Sequence, residues 1–354
     1  MISKITVENF KSHARTEIEP GRVTALVGPN GCGKTSLLQA VYILNQYVRR
    51  IANNGSWDWK LIHQFTRKGQ SNDSISIFVI GPAQSWGIGI VGYKVLDLQD
   101  RHEITPELLK SFGQASYFKA LAQNVSSSSY TLDIPPVIGA DGSLVASVIG
   151  YLKNYQEEVH ERIEADLRQI VPAVKRIRVH PVSKLIKEKR TISANGNTIA
   201  YDEDRKVVAQ ELIFDTCSGD SLPASLISEG TLITLALLTL LHTSDTEIFL
   251  LDDVEQGLHP LAQRKLMQTL KEFAERQNRQ IILTSHSPYI VDELDAEDVW
   301  VMATDKDGIS HTKRLSDHPD AKRALEVLTT GEFLSAEGES WVTDNSIPVE
   351  QVNV

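Results

Sequence analysis

The sequence predicts an α/β fold with a mostly parallel core sheet, a β-rich lobe and an α/β insertion. Three observations lead there. An apolar strand, Arg22–Val27, runs into the glycine-rich turn Gly28–Thr35 and then into a helical spacing of Leu37, Leu38, Val41 and Leu44. Two later apolar runs, Glu247–Leu251 and Gln280–Thr284, have the unbroken hydrophobicity of parallel strands covered on both faces, with a helical stretch, Leu261–Arg276, between them. A stretch of different pattern separates these halves and is assigned to an insertion from about Thr105 to Tyr201.

Taken in order, Ile2–Val7 alternates as a strand, and Thr16–Ile18 reads as a second. Ser36–Val48 is a helix. Residues 57–100 are β-rich, with Ser74–Ile80 and Ile88–Leu98 the clearest strands. The serines 126–129 and the pair Pro135-Pro136 mark a surface loop. Val148, Leu152, Tyr155, Val159, Ile163, Leu167 and Ile170 recur at three- and four-residue spacing, which predicts one long amphipathic helix ending at Pro172. Arg176–Ser183 and Lys206–Phe214 read as strands and Ala224–Leu241 as an apolar helix. Residues 1–316 thus form one interrupted domain and 317–354 a C-terminal segment, polar and frayed from Leu334. No signal peptide is evident and no window approaches eighteen apolar residues, so no membrane span is expected. With two cysteines, too few for a disulfide framework, the expected location is cytoplasmic. A net charge of −10 argues against a surface that is basic all over, though it permits a local basic groove.

Gly28-Pro29-Asn30-Gly31-Cys32-Gly33-Lys34-Thr35 satisfies the phosphate-loop pattern. Its glycines let successive N–H groups turn inward around a phosphate, Lys34 reaches the β/γ oxygens, and the Thr35 hydroxyl ligates Mg²⁺. Ser36 continues the loop into the helix, so Asn30, Gly31, Cys32, Gly33, Lys34, Thr35 and Ser36 are the candidate ATP contacts. A tolerated small residue is the plainer reading of Cys32, against a redox switch. The strand ending in Asp252 delivers a carboxylate to the sheet edge where nucleotides bind, placed to hold Mg²⁺. Asp253 follows as a candidate base for the attacking water.

In combination these residues resemble the ABC-type ATPase heads of the RecF, SMC and OLD (overcoming-lysogenisation-defect) group, from about Met1 to Met302. Five segments carry the resemblance in order: Asn9-Phe10-Lys11-Ser12, Gly28–Thr35, Ile227-Ser228-Glu229-Gly230-Thr231, Leu251–Pro260, and Thr284-Ser285-His286-Ser287-Pro288. The resemblance implies a RecA-like core and Mg-ATP as cofactor. It implies that Ser228 and Gly230 form the signature motif that meets ATP on the opposite subunit. His286 is then the switch histidine, with Asp253 and Glu255 beside it, and Gly257–Pro260 the D-loop. For the Mg²⁺-touching Q-loop glutamine the candidates are Gln123 and, second, Gln64. Two heads are expected to form a homodimer that sandwiches two ATP molecules.

Departures from the group's pattern shape the expectation. Asp253 stands where glutamate is usual, which points to slow turnover. Ile-Ser-Glu-Gly-Thr is far from the transporter signature. The stretch between Lys34 and Ser228 is too short for coiled-coil arms, and the stretch after His286 too short for the TOPRIM nuclease of OLD proteins. An effector such as a nuclease is therefore expected from a second protein, in antiphage defence or DNA repair. A regulatory or scaffold protein, with incidental hydrolysis, is the alternative. The basic stretch containing Lys175, Arg176, Arg178 and Lys187 has two readings, a DNA contact and a solvated hairpin face. Asp305-Lys306-Asp307-Gly308 reads as a polar turn.

Overall fold

The computed structural model describes residues 1–52, 75–81, 87–91, 94–97, 114–194 and 197–344. Two compact units emerge, one of residues 1–119, 245–255 and 259–354, the other of residues 120–244 and 256–258.

The first unit holds two sheets. One is antiparallel and five-stranded, in the order β2-β1-β4-β5-β6 (β1 Lys4–Phe10, β2 His13–Ile18, β4 Ser76–Ile80, β5 Gly87–Val91, β6 Lys94–Asp97). The other is six-stranded, in the order β14-β13-β3-β12-β11-β7 (β3 Val23–Val27, β7 Ala115–Phe118, β11 Ile248–Leu251, β12 Gln280–Ser285, β13 Val299–Thr304, β14 Ser310–Arg314). All its pairings are parallel except β13 with β14, as the apolar runs predict. Helix α1 (Lys34–Ala52) buries Leu37, Leu38, Val41, Leu44 and Val48 in one core with Ile5 and Val7 of β1, Leu250 of β11 and Ile282 of β12. Each such side chain contributes about 1.5–3 kcal/mol on burial, so this core fixes the loop that precedes α1. The C-terminal ends of β3, β7, β11 and β12 converge on one sheet edge, where Phe118 pairs with Leu251 and Leu251 with Leu283.

The second unit contains α2 (Ala122–Ser126), α3 (Val145–Tyr155), α4 (Glu157–Ile170), the strands β8 (Val174–Ala194), β9 (Asn197–Thr216) and β10 (Ser221–Pro223), and α5 (Glu229–Thr243). Strands β8 and β9 form a long antiparallel ribbon. Helix α5 is buried from Gly230 to Leu241, which explains its apolarity all round.

Several expectations change. The single helix 148–170 is two helices, because Gln156 leaves helical geometry (φ −145°, ψ 59°) and Tyr155 turns outward, 74% exposed. Ile88–Leu98 contains two paired strands, β5 and β6. Arg176–Ser183 and Lys206–Phe214 are only the base of the ribbon, so position 201, the expected end of the insertion, lies inside β9. Residues 115–118 belong to the core sheet, and the second unit runs from 120 to 244 rather than over about 105–201. The serine run is not all surface loop: Ser129 is buried and bonded to Ser147 and Gln210. Beyond Leu334 the chain stays folded to residue 344. The helix Thr330–Glu337 starts in a Thr329/Glu332 capping box, and Trp341 is buried against His318. Asp305–Gly308 is the polar turn expected, with Gly308 N–H donating to the Asp305 carbonyl at 3.1 Å. Among the described residues no helix is long and apolar enough to cross a membrane.

Candidate functional site

The phosphate loop joins β3 to α1. Gly33 is left-handed (φ +104°), and a Cβ there would stand 2.5 Å from Ser310 Oγ and 2.9 Å from the His13 ring, so only glycine fits. His13 braces the loop from β2, its Nε2 lying 3.1 Å from the Gly33 carbonyl oxygen and its Nδ1 2.8 Å from Thr16 Oγ1. Lys34, buried, donates from Nζ to the carbonyls of Gly28 and Pro29 at 2.8 and 2.9 Å. Cys32 is buried, and burial raises its thiol pKa despite the Lys34 charge.

Asp252 is the hub. Its carboxylate accepts from Thr35 Oγ1 at 2.8 Å, Thr284 Oγ1 at 2.7 Å, Tyr117 OH at 2.9 Å and Lys119 Nζ at 2.9 Å. Burial opposes its ionisation, but the bonds from Lys119, Thr284 and Thr35 prevail and hold its pKa below the ordinary carboxylate value. Asp253 is left-handed (φ 54°), its N–H donating to Thr284 Oγ1 at 2.9 Å and its carboxylate accepting from Lys119 Nζ at 2.7 Å. Burial pulls the Lys119 pKa down, yet the bonds to both aspartates outweigh it and keep the ammonium charged above its usual range. Glu255 is turned aside, one oxygen taking the His286 backbone N–H at 2.6 Å and the other buried without a hydrogen bond.

A cavity of about 270 Å³ opens here, lined by Asn30, Gly31, Gly33, Lys34, Thr35, Ser36, Lys119, Asp253 and His286. Most of the expected loop residues and two of the expected catalytic residues therefore meet, while Glu255 does not face the cavity. Mg²⁺ commonly uses one or two protein oxygens and completes its shell with phosphate and water. Thr35 and Asp252, already in hydrogen-bond contact, fit that role. Among the described residues no group of three His, Cys, Asp or Glu is placed to hold a metal.

Ser228 caps α5, its hydroxyl accepting from Thr231 N–H and lying 2.7 Å from Thr231 Oγ1. A Cβ on Gly230 would stand 2.3 Å from the Gly257 carbonyl oxygen, so the two glycines are packed backbone to backbone within the second unit. Gln123 is exposed in the first turn of α2 and is not among the described hydrogen-bond partners of Asp252. Gln64 lies outside the described residues. Lys119, Tyr117 and Thr284 reach Asp252 instead, and sequence reasoning assigned none of them a role. Tyr117 lies in β7 and Lys119 just follows it, and the pairing of that strand with the one carrying Asp252 is seen only in the structure.

The basic stretch is largely neutralised. Arg178 pairs with Asp215, Arg190 with Glu203 at 2.6 Å, and the register sets Lys187 opposite Asp204 and Lys189 opposite Asp202. The ribbon thus favours the solvated-hairpin reading.

Fold and site together define a phosphate-loop ATPase domain with an SMC head-like fold. Residues 95–292, more than half of the chain, match the profile of the family described as "AAA domain, putative AbiEii toxin, Type IV TA system", and residues 1–79 match an AAA ATPase domain. The chain belongs to this AAA-domain family. No curated protein sequence matches it. Similar solved structures include an Smc head bound to the C-terminal winged-helix domain of ScpA, with 14% identity, TM-score 0.57, and coverage of 88% of this chain and 96% of that one. Another is the Smc head with an extended coiled coil bound to the ScpA C-terminal domain, derived from Pyrococcus furiosus, with 13% identity, TM-score 0.54, and coverage of 92% and 98%.

Proposed function

We propose that the chain is an ATP-binding and hydrolysing switch that pairs head to head on ATP, an OLD-like head that acts on DNA through a separate effector. The observation that carries the ATPase reading is the single cavity joining Lys34 and Thr35 to Asp253 and His286 beside Asp252. The loop amides and Lys34 bind the triphosphate, and Thr35 with Asp252 would hold Mg²⁺, which when bound neutralises charge on the β- and γ-phosphates. Asp253 orients the attacking water once Lys119 releases it, and His286 faces the γ-phosphate. Ser228 and Gly230, opening α5, meet the nucleotide of the opposite copy, where a helix N-terminus favours an anion.

Partner action has its support in the similar Smc heads, both of which are bound to domains of a second protein. The pathway proposed is antiphage defence or DNA repair, and the family description mentions a toxin–antitoxin system. Lys175 and Arg176 are the DNA contacts proposed, since Arg178 is engaged with Asp215 and Ser221 and Lys187 lies opposite Asp204 on the return strand. One observation favours the second reading, a regulatory protein for which ATP binding suffices: Lys119 ion-pairs the proposed base.

Complementation tests the ATPase reading. Lys34→Ala should lose ATP binding, and Ser228→Arg should bind ATP but fail to hydrolyse it. A mixture of the two forms dimers with one intact site, so part of the ATPase activity should return. Unchanged ATP binding by Lys34→Ala would overturn the phosphate-loop assignment, and proven mixed dimers without activity would overturn the shared site.

A further inference from the structure

We infer that Lys119 is a resident counter-ion of the metal site: its ammonium holds the Asp252 carboxylate that, with Thr35, would take a divalent cation, and so keeps free metal out until nucleotide arrives. The inference rests on the nucleotide reading above and adds to it a residue that controls metal entry.

Asp252 is saturated. A carboxylate offers about four lone-pair positions, and here two oxygens take Thr35, Thr284, Tyr117 and Lys119. A metal ion can therefore bind only if a donor leaves. Thr35 is itself a prospective ligand, and Thr284 is fully buried and also holds Asp253 in place. Tyr117 is a neutral, part-buried hydroxyl that does not line the cavity. Lys119 differs from all three. Its side chain is 38% exposed, it lines the cavity, and it touches both acids, at 2.9 and 2.7 Å. A lysine ammonium is a point charge on a flexible stem, and next to a divalent ion it would be repelled. Lys34, the other ammonium of the cavity, is turned onto the Gly28 and Pro29 carbonyls and does not share this role. Nucleotide changes the balance, because the γ-phosphate offers Lys119 a new anion while its oxygens complete the metal shell.

The test is Mn²⁺ binding without nucleotide, followed by loss of the free-ion electron paramagnetic resonance signal. Wild type should bind Mn²⁺ weakly, and Lys119→Met should bind it at least tenfold more tightly. Lys119→Arg, which keeps the charge, should show no gain, and Asp252→Asn added to Lys119→Met should abolish it. Lys119→Gln is carried in parallel, so that misfolding of the Met variant does not decide the outcome. A gain in affinity is not what mere structural damage produces. Unchanged Mn²⁺ affinity in folded Lys119→Met and Lys119→Gln proteins that still bind an ATP analogue would overturn the inference. Failure of wild type and variant alike to bind nucleotide, with the Mn²⁺ gain intact, would overturn the nucleotide reading and leave the counter-ion standing.

Discussion

Acidification should destabilise the brace behind the phosphate loop, and the size of the effect follows from the burial of His13. Its imidazole is 0% exposed. The contact with the Gly33 carbonyl requires a proton on Nε2, which leaves Nδ1 to accept from the Thr16 hydroxyl. Burial pushes the His13 pKa from 6.5 down to about 4, with the Gly33 carbonyl opposing and the Lys11 charge adding to the fall. Because the folded pKa lies below the unfolded one, the unfolded chain binds more protons as pH falls. The contribution is thus fully present above about pH 6.5 and is lost as pH drops toward 4. At 1.36 kcal/mol per unit, the loss is about 2 kcal/mol between pH 7 and 5, and about 3 kcal/mol in full. Urea unfolding of wild type and His13→Gln at pH 7, 6 and 5 measures it, since titrations common to both proteins cancel in the difference. The wild-type advantage should shrink by roughly 2 kcal/mol from pH 7 to 5. A difference that stays constant over that range would refute the buried neutral imidazole.

Two further outcomes follow from the site. Asp253→Asn keeps the size of the side chain and removes its charge, so ATP should still bind while hydrolysis falls at least tenfold in a phosphate-release assay. If Glu255→Gln is dead and Asp253→Asn is not, the base is Glu255. Gly230→Ala drives a Cβ to 2.3 Å from the Gly257 carbonyl oxygen, an overpacking that costs about 1–3 kcal/mol. Its thermal unfolding midpoint should fall by several degrees, and an unchanged midpoint would mean that the two backbones part freely.

The core sheet was legible because parallel strands buried on both faces leave an unbroken apolar signature, as Ile248–Leu251 and Gln280–Ser285 do. The phosphate loop was legible because its spacing is itself the chemistry. Features that depend on pairing between distant segments were not. Taken alone, Lys175–Arg190 looks basic, and the acids that offset it, Asp202, Glu203, Asp204 and Asp215, arrive only on the return strand. Lys119 carries no motif; what gives it a role is the parallel register of Phe118 with Leu251, which sets it beside Asp252. The helix break at Gln156 was hidden because the apolar spacing continues through it, although Tyr155 and the residues around it face outward.

The backbone at Asp253 is of a kind that aspartate tolerates. Asp253 has φ 54°, in the left-handed region that most side chains avoid and that Asp and Asn enter several-fold more readily. The conformation is held from outside: the Asp253 N–H is fixed on Thr284 Oγ1, and the same hydroxyl donates to Asp252. From this strand end the Asp253 carboxylate reaches Lys119 at 2.7 Å. On the proposal above, Asp253 would be free to orient water only once Lys119 has left it.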